Sequence, residues 1–203
     1  MNLWPIVLIL MCVVVVVFGD IFDGVREIFH KYFNMGKLAI TPPGIAEIKY
    51  PSGARVYRGT EVTLDQVIKP PEIKWYIYNN STRYTICLIE PNKDDWDNYI
   101  ITGYRHWLVG NIPEDYISRG EVLSEYELGT SPGEVAGGNH TYIFLLYKQM
   151  WPLNFDGSRV DNKDFGPRQH FNLTNFVIEY ALGYPIYGNS FWIQYKQHDD
   201  TAV

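Results

Sequence analysis

The sequence predicts a mostly β fold in a single domain, and three observations predict it. The 203 residues are 46% hydrophobic and 16% aromatic, enough for one well-packed core and short for two. Sixteen tyrosines, six tryptophans and 12 prolines stand against only 20% charged residues, the balance of an aromatic-rich strand-and-turn protein rather than a helical bundle. From Ala54 onward, short apolar runs recur between Gly, Pro and Asn punctuation, which is how strands read between turns.

The chain opens with an uncharged apolar run from Leu3 to Phe18 that ends at Gly19. It is short for a bilayer span and has the form of a secretory h-region with its cleavage site, so residues 1–19 are expected to be a signal peptide. An uncleaved signal anchor is the alternative; either way the rest, 20–203, faces the lumen or the outside. In "DGVREIFHKYFNMG", Val25, Ile28, Phe29, Tyr32 and Phe33 recur at helical spacing between an Asp and a Gly, which predicts an amphipathic helix over about 23–36. His30 falls on its polar face and is expected to be solvated.

"ITPPG" then breaks the chain, and the β-rich body is expected over about 45–196. The runs "ARVYRGTEVT", "EIKWYIY", "YTICLIE", "HWLVGNI", "TYIFLLYKQ" and "NSFWIQY" are its strands, several of them apolar on both faces as in strands covered on both sides. One further helix is expected at "NLTNFVIEYALG". There Leu173, Phe176, Val177, Tyr180 and Ala181 form the stripe, Asn172 caps and Gly183 stops it.

Charge and cysteine content narrow the function classes. With a formal net charge of -6 and no window dense in lysine and arginine, the chain lacks the electrostatic footprint of a nucleic-acid binder. Cys12 lies in the leader, so Cys87 is left without an internal disulfide partner and reads as a small buried hydrophobe. Sequons at Asn79, Asn80, Asn139 and Asn172 suit a secreted glycoprotein.

The chemistry-bearing residues collect at strand ends. His140, Tyr142 and Phe144 share one face by strand alternation, and the same parity groups His106 with Leu108. Before His140 runs the Gly-rich "GTSPGEVAGGNH", whose backbone N–H groups could approach an oxyanion closely. From this loop Ser131, Pro132 and Gly138 join the candidate ligand set. Glu90 ends the strand "YTICLIE" ahead of Pro91, where a carboxylate is either solvated or orients a histidine. No serine or cysteine has a nucleophile's setting, and the histidine spacing is not a metal-ligand signature, so neither catalysis, a metal nor a cofactor is assigned.

Taken in order, "EP" at 90–91, "HWLVGNI", the Gly-rich stretch with "HTYIFLLYKQ", and "GPRQHFNLTNFVIEYALGYPIYGNSFWIQY" resemble the phosphatidylethanolamine-binding protein family from about Val56 to Tyr195. The leader, the first helix and "IKYPSGARVYRGTEVT" make the secreted arthropod members the nearest in kind. The resemblance implies a β-sandwich of two antiparallel sheets with a few flanking helices, and a small pocket at one end that binds phosphate-like anions. It puts the pocket histidines at His106 and His140, the tyrosine at Tyr142, the first acid of the acidic motif at Glu90 and the arginine before the helix at Arg168. The sequence departs from the family in carrying Glu rather than Asp at 90, Asn92 and Asp94 in place of the motif's later residues, and Thr141 where the family has arginine. The expected function is a secreted monomer binding a small anionic ligand or phospholipid head group. The alternative is an extracellular protease inhibitor or signalling regulator acting on a protein partner.

Overall fold

The structure, a computed structural model, describes residues 42–92, 101–128, 138–161 and 165–195. The leader, the helix expected over 23–36, Ser131, Pro132 and Asp94 lie outside these residues.

Eleven strands run through the described chain: β1 (Gly44–Ile45), β2 (Glu47–Lys49), β3 (Arg55–Val56), β4 (Thr60–Glu61), β5 (Glu72–Lys74), β6 (Arg83–Pro91), β7 (Thr102–Pro113), β8 (Glu121–Ser124), β9 (Gly138–Gln149), β10 (Phe171–Asn172) and β11 (Tyr187–Tyr195). The helices are α1 (Leu64–Val67), α2 (Gly166–Gln169) and α3 (Leu173–Glu179). A large sheet has the order β1-β11-β9-β6-β7-β10, with β4 also on β11 and β8 also on β7; a small sheet has the order β3-β2-β5. The long strands β11, β9, β6 and β7 pair antiparallel, while β1 and β4 join β11 in parallel at the edge.

Alternation along the central strands builds two cores. Ile86 and Leu88 of β6, Trp107 and Val109 of β7, and Tyr142, Phe144 and Leu146 of β9 face the small sheet, where they meet Ile48, Val56 and Ile73. Their neighbours Cys87, Ile89, Leu108, Ile143, Leu145 and Tyr147 face the other way, under Phe155, Phe171, Leu173, Phe176 and Leu182. Being covered on both sides is why these strands read as continuous apolar runs. Cys87 is wholly buried, and burial pushes its thiol up to about 12, as fits a packing residue.

Several elements differ from the sequence reading for identifiable reasons. Only Glu72–Lys74 of "EIKWYIY" pairs as a strand, and "ARVYRGTEVT" divides into β3 and β4 because Arg58 and Gly59 take positive φ, 51° and 79°. Helix α3 is capped by Asn172, whose side chain accepts from the Asn175 N–H at 2.9 Å. It ends at Glu179, since Ala181 takes φ 49° and turns out exposed rather than joining the apolar stripe.

Where the chain passes from the large sheet (β1) to the small one (β2), a buried amide holds the crossing. Asn189 Nδ2 donates to the Ala46 and Val56 carbonyls at 2.8 and 3.0 Å, and its Oδ1 accepts from the Arg58 N–H at 2.9 Å. Leaving such buried backbone groups unpaired is costly. Asn189→Ala is expected to lower stability by about 2 to 3 kcal/mol; an unchanged midpoint in chemical denaturation would contradict this role.

Candidate functional site

The site lies at one end of the large sheet, where β6 ends, β9 begins, and β7 enters the core. Glu90 is the last charged residue of β6, and even-numbered positions on this strand face the small sheet. His140 and Tyr142 lie on the same side of β9, as alternation predicts. Opposite Glu90 and Pro91, β7 offers Gly103; a side chain there would run into the Glu90 carbonyl and come within 2.8 Å of Pro91 Cα. Glycine is therefore needed for the two strands to close at the site.

His106 arrives by a different route. The register of β6 on β7 passes from Leu88↔Trp107 to Ile89↔Arg105, so His106 is the extra residue of a β-bulge. Counting back from Trp107 by simple alternation would put Arg105 in the site. The added residue reverses this and brings His106 in, as bulges do when they re-aim a side chain. The grouping of His106 with Leu108 expected from the sequence is thereby corrected: Leu108 lies in the opposite core. Arg105 faces that core too, buried, with its guanidinium over Phe171 at 4.6 Å and donating to the Ser158 carbonyl at 3.3 Å.

Glu90 bridges the two histidines. His140 Nδ1 donates to Glu90 Oε1 at 2.6 Å, and His106 Nε2 stands 3.5 Å from Oε2, at ion-pair range. The Glu90 and His140 side chains keep 22% and 21% exposure, whereas His106 keeps 3%. His106 Nδ1 donates to the Glu127 carbonyl at 2.7 Å, and the Glu127 N–H returns a bond to the His106 carbonyl at 2.9 Å. A carbonyl only accepts, so Nδ1 carries the hydrogen and Nε2 is the nitrogen left facing the site. That Nε2 is buried and makes no hydrogen bond among the described residues.

Arg168 of α2 holds this arrangement from behind. Fully buried, it donates from Nη1 to the Arg105 and Glu125 carbonyls at 3.2 and 3.1 Å, and its Nε lies 3.5 Å from Glu127 Oε2. It thus ties the bulge to the segment that fixes the His106 tautomer. The resemblance had singled out Arg168; the structure makes it a positioning residue behind the site.

Three residues that sequence reasoning missed complete the cluster. The Tyr104 ring lies 4.6 Å from His106 and its hydroxyl is buried, with no hydrogen bond among the described residues. Tyr195, from the end of β11, packs on His140 at 4.8 Å and shares a 3.1 Å hydroxyl contact with Tyr142, whose ring lies 5.0 Å from His106. Glu127 supplies the carbonyl already described. Strand parity could have flagged Tyr104, two residues before His106, and the register Tyr195↔Gly138 could have flagged Tyr195. Gly138 itself starts β9, exposed, at φ 134°.

The electrostatics keep the phenols as donors. Burial, reinforced by the Glu90 charge, raises Tyr142; burial raises Tyr195, and burial with the Glu127 charge raises Tyr104. For Glu90, burial pushes the carboxyl up, but its close contacts with His106 and His140 outweigh it and hold the carboxyl below the usual glutamate value. A carboxyl more acidic in the folded than in the unfolded chain stabilises the fold above the ordinary glutamate range. That contribution is lost as pH falls through the lowered folded-state value. Acid unfolding of Glu90→Gln should accordingly be shallower than that of the parent chain; parallel stability-versus-pH curves would contradict the bridge.

No family model matches the chain. "Putative odorant-binding protein A5" of Drosophila melanogaster is 28% identical over 177 residues, covering 87% of this chain and 83% of that protein. Two solved structures share the fold at lower identity. The phosphatidylethanolamine-binding protein of Plasmodium vivax has a TM-score of 0.62 at 17% identity over 84% of this chain and 97% of that one. A carboxypeptidase Y inhibitor complexed with its cognate proteinase has a TM-score of 0.61 at 19% identity over 86% and 96%. The solution structure of CG7054 is 30% identical, with a TM-score of 0.57, over 77% of this chain and 88% of that one. On this kinship and the shared fold, the chain belongs to the phosphatidylethanolamine-binding protein family.

Proposed function

We propose that the chain is a secreted binding protein whose site at Glu90, His106, His140 and Tyr142 takes a small anion or an anionic head group. The observation that carries this reading is the convergence of buried, hydrogen-bond-starved groups on one place. Among the described residues His106 Nε2, in ion-pair range of Glu90, and the Tyr104 hydroxyl make no hydrogen bond, and buried polar atoms left so are costly unless something else satisfies them. Protonated imidazole and phenolic O–H are donors, and donors in a partly dry cleft suit an anionic oxygen. Gly138, which opens β9, and Ser131 and Pro132, which lie outside the described residues, complete the proposed ligand set.

Binding rather than catalysis fits the residues present. Cys87 is buried in the opposite core with its thiol pushed up, and Glu90 is occupied by two histidines, so neither is set up as a nucleophile. Secretion rests on the leader read from the sequence. Among the described residues no helix is long and apolar enough to cross a membrane. If the chain is secreted, the sequons differ in availability. The Asn79 side-chain oxygen is engaged by Ser81 and Thr82 within its turn, and Asn172 caps α3, leaving Asn80 and Asn139 exposed.

The test is calorimetric titration of protein recovered from a secreting host, with its N-terminus and glycan masses determined first, against phosphoethanolamine and inorganic phosphate. The expected result is binding that is lost in a His106→Ala, His140→Ala double variant. Binding unaffected by the double variant would place the ligand elsewhere. Absence of binding would favour the second reading, a protein partner, for which the carboxypeptidase Y inhibitor, which shares this chain's fold and was solved in complex with its cognate proteinase, is the precedent.

A further inference from the structure

Glu90 raises a question that the anion reading leaves open. The donors that would receive an anion already face a carboxylate: His140 Nδ1 is 2.6 Å from Oε1 and His106 Nε2 is 3.5 Å from Oε2. An oxyanion drawing a hydrogen bond from His106 Nε2 must come close to Oε2. Two like charges at such range in a poorly solvated site repel strongly. Glu127 adds a second carboxylate near Tyr104, but Arg168 stands 3.5 Å from it, so among the described residues Glu90 is the acid whose charge faces only the two imidazole rings.

We propose that Glu90 is the specificity-determining residue of this site: its carboxylate acts as a built-in anion on the two histidines, admits neutral or singly charged hydrogen-bonding ligands, and disfavours multiply charged anions. The proposal rests on the reading of the site as an anion cradle and adds the identity of what that cradle rejects. Glu90 serves both as clamp and as competitor, because the bonds that orient His140 are those an incoming oxyanion would take. An anion that displaces the carboxylate takes over its role towards the imidazolium, so removing the Glu90 charge leaves the rings a new partner. Glutamine is close to isosteric: its carbonyl can accept from His140 Nδ1, and its neutral amide removes the charge that faces His106 Nε2.

The experiment titrates sulfate, which stays doubly charged around neutrality, and acetate, singly charged, into the parent chain, Glu90→Gln and Glu90→Asp at about pH 6, where histidine is substantially protonated. Thermal melts confirm that each variant is folded, and Glu90→Ala serves as the second charge-removing variant. Sulfate affinity is expected to rise about tenfold or more in Glu90→Gln, as expected for removal of one close like charge. Acetate should gain less, and Glu90→Asp, which keeps the charge, should gain least. Sulfate binding by Glu90→Gln alone, with none by the parent chain, would be the strongest support. Equal or weaker sulfate binding in both charge-removing variants, with the parent chain binding, would overturn the proposal while leaving the anion site intact. If no variant binds either anion, the cradle itself fails and the proposal falls with it.

Discussion

A single extra residue in β7 decides what this end of the sheet can do. The β6–β7 pairing slips at Leu88/Ile89, and the slip takes His106 out of its alternating place and sets it among Tyr104, Tyr142 and Glu90. Without it, the guanidinium of Arg105 would lie in the site and the imidazole in the opposite core. The two side chains offer different chemistry: a permanent cation in one case, a titratable donor in the other. Arg105, turned away from the site, is buried with Cys87 and Phe171, and burial pulls its guanidinium down to about 10.

A bulge at such a place needs support, and the surrounding polar groups provide it. Arg168 holds the carbonyls of Arg105 and Glu125, and the Glu127 backbone pairs with His106 through both its N–H and its carbonyl. These contacts fix which imidazole nitrogen looks towards Glu90, the preorganisation that the proposed binding role calls for. Glycine at 103 lets β7 close on Glu90. Tyr142, stacked on Phe191 at 4.9 Å, is held rigid from the core side while its hydroxyl meets Tyr195. Rigid rings and fixed tautomers come from the same packing that builds the sandwich.

Much of this was legible in the sequence, and the exceptions have physical reasons. Apolar runs of strand length, with Gly and Pro between them, gave the central strands and the two-sided burial of the large sheet. Parity alone placed His140, Tyr142 and Phe144 on one face. Parity failed at His106 because a bulge inserts a residue without any composition signal, and it failed at Ala181 because the helix ended in a left-handed turn at a residue with no special preference for one. The short strands β1, β4, β8 and β10 carry too few residues for a periodic pattern. Tyr104 and Tyr195 were not singled out: parity with His106 could have marked Tyr104, but in a chain with 16 tyrosines only pairing register brings Tyr195 to this end of the sheet. The placing of Ser131 and Pro132 lies outside the described residues.

Two imidazoles acting together define the proposed site, and their ring nitrogens can be observed directly. A nitrogen-15 NMR titration with excess phosphate, assigned through His106→Ala and His140→Ala, distinguishes them from His30, His170 and His198. Neutral His106 should show its hydrogen on Nδ1, and phosphate should move the His106 Nε2 and the His140 ring signals together. A His106 with its hydrogen on Nε2, or phosphate shifts confined to the other histidines, would contradict the two-histidine site.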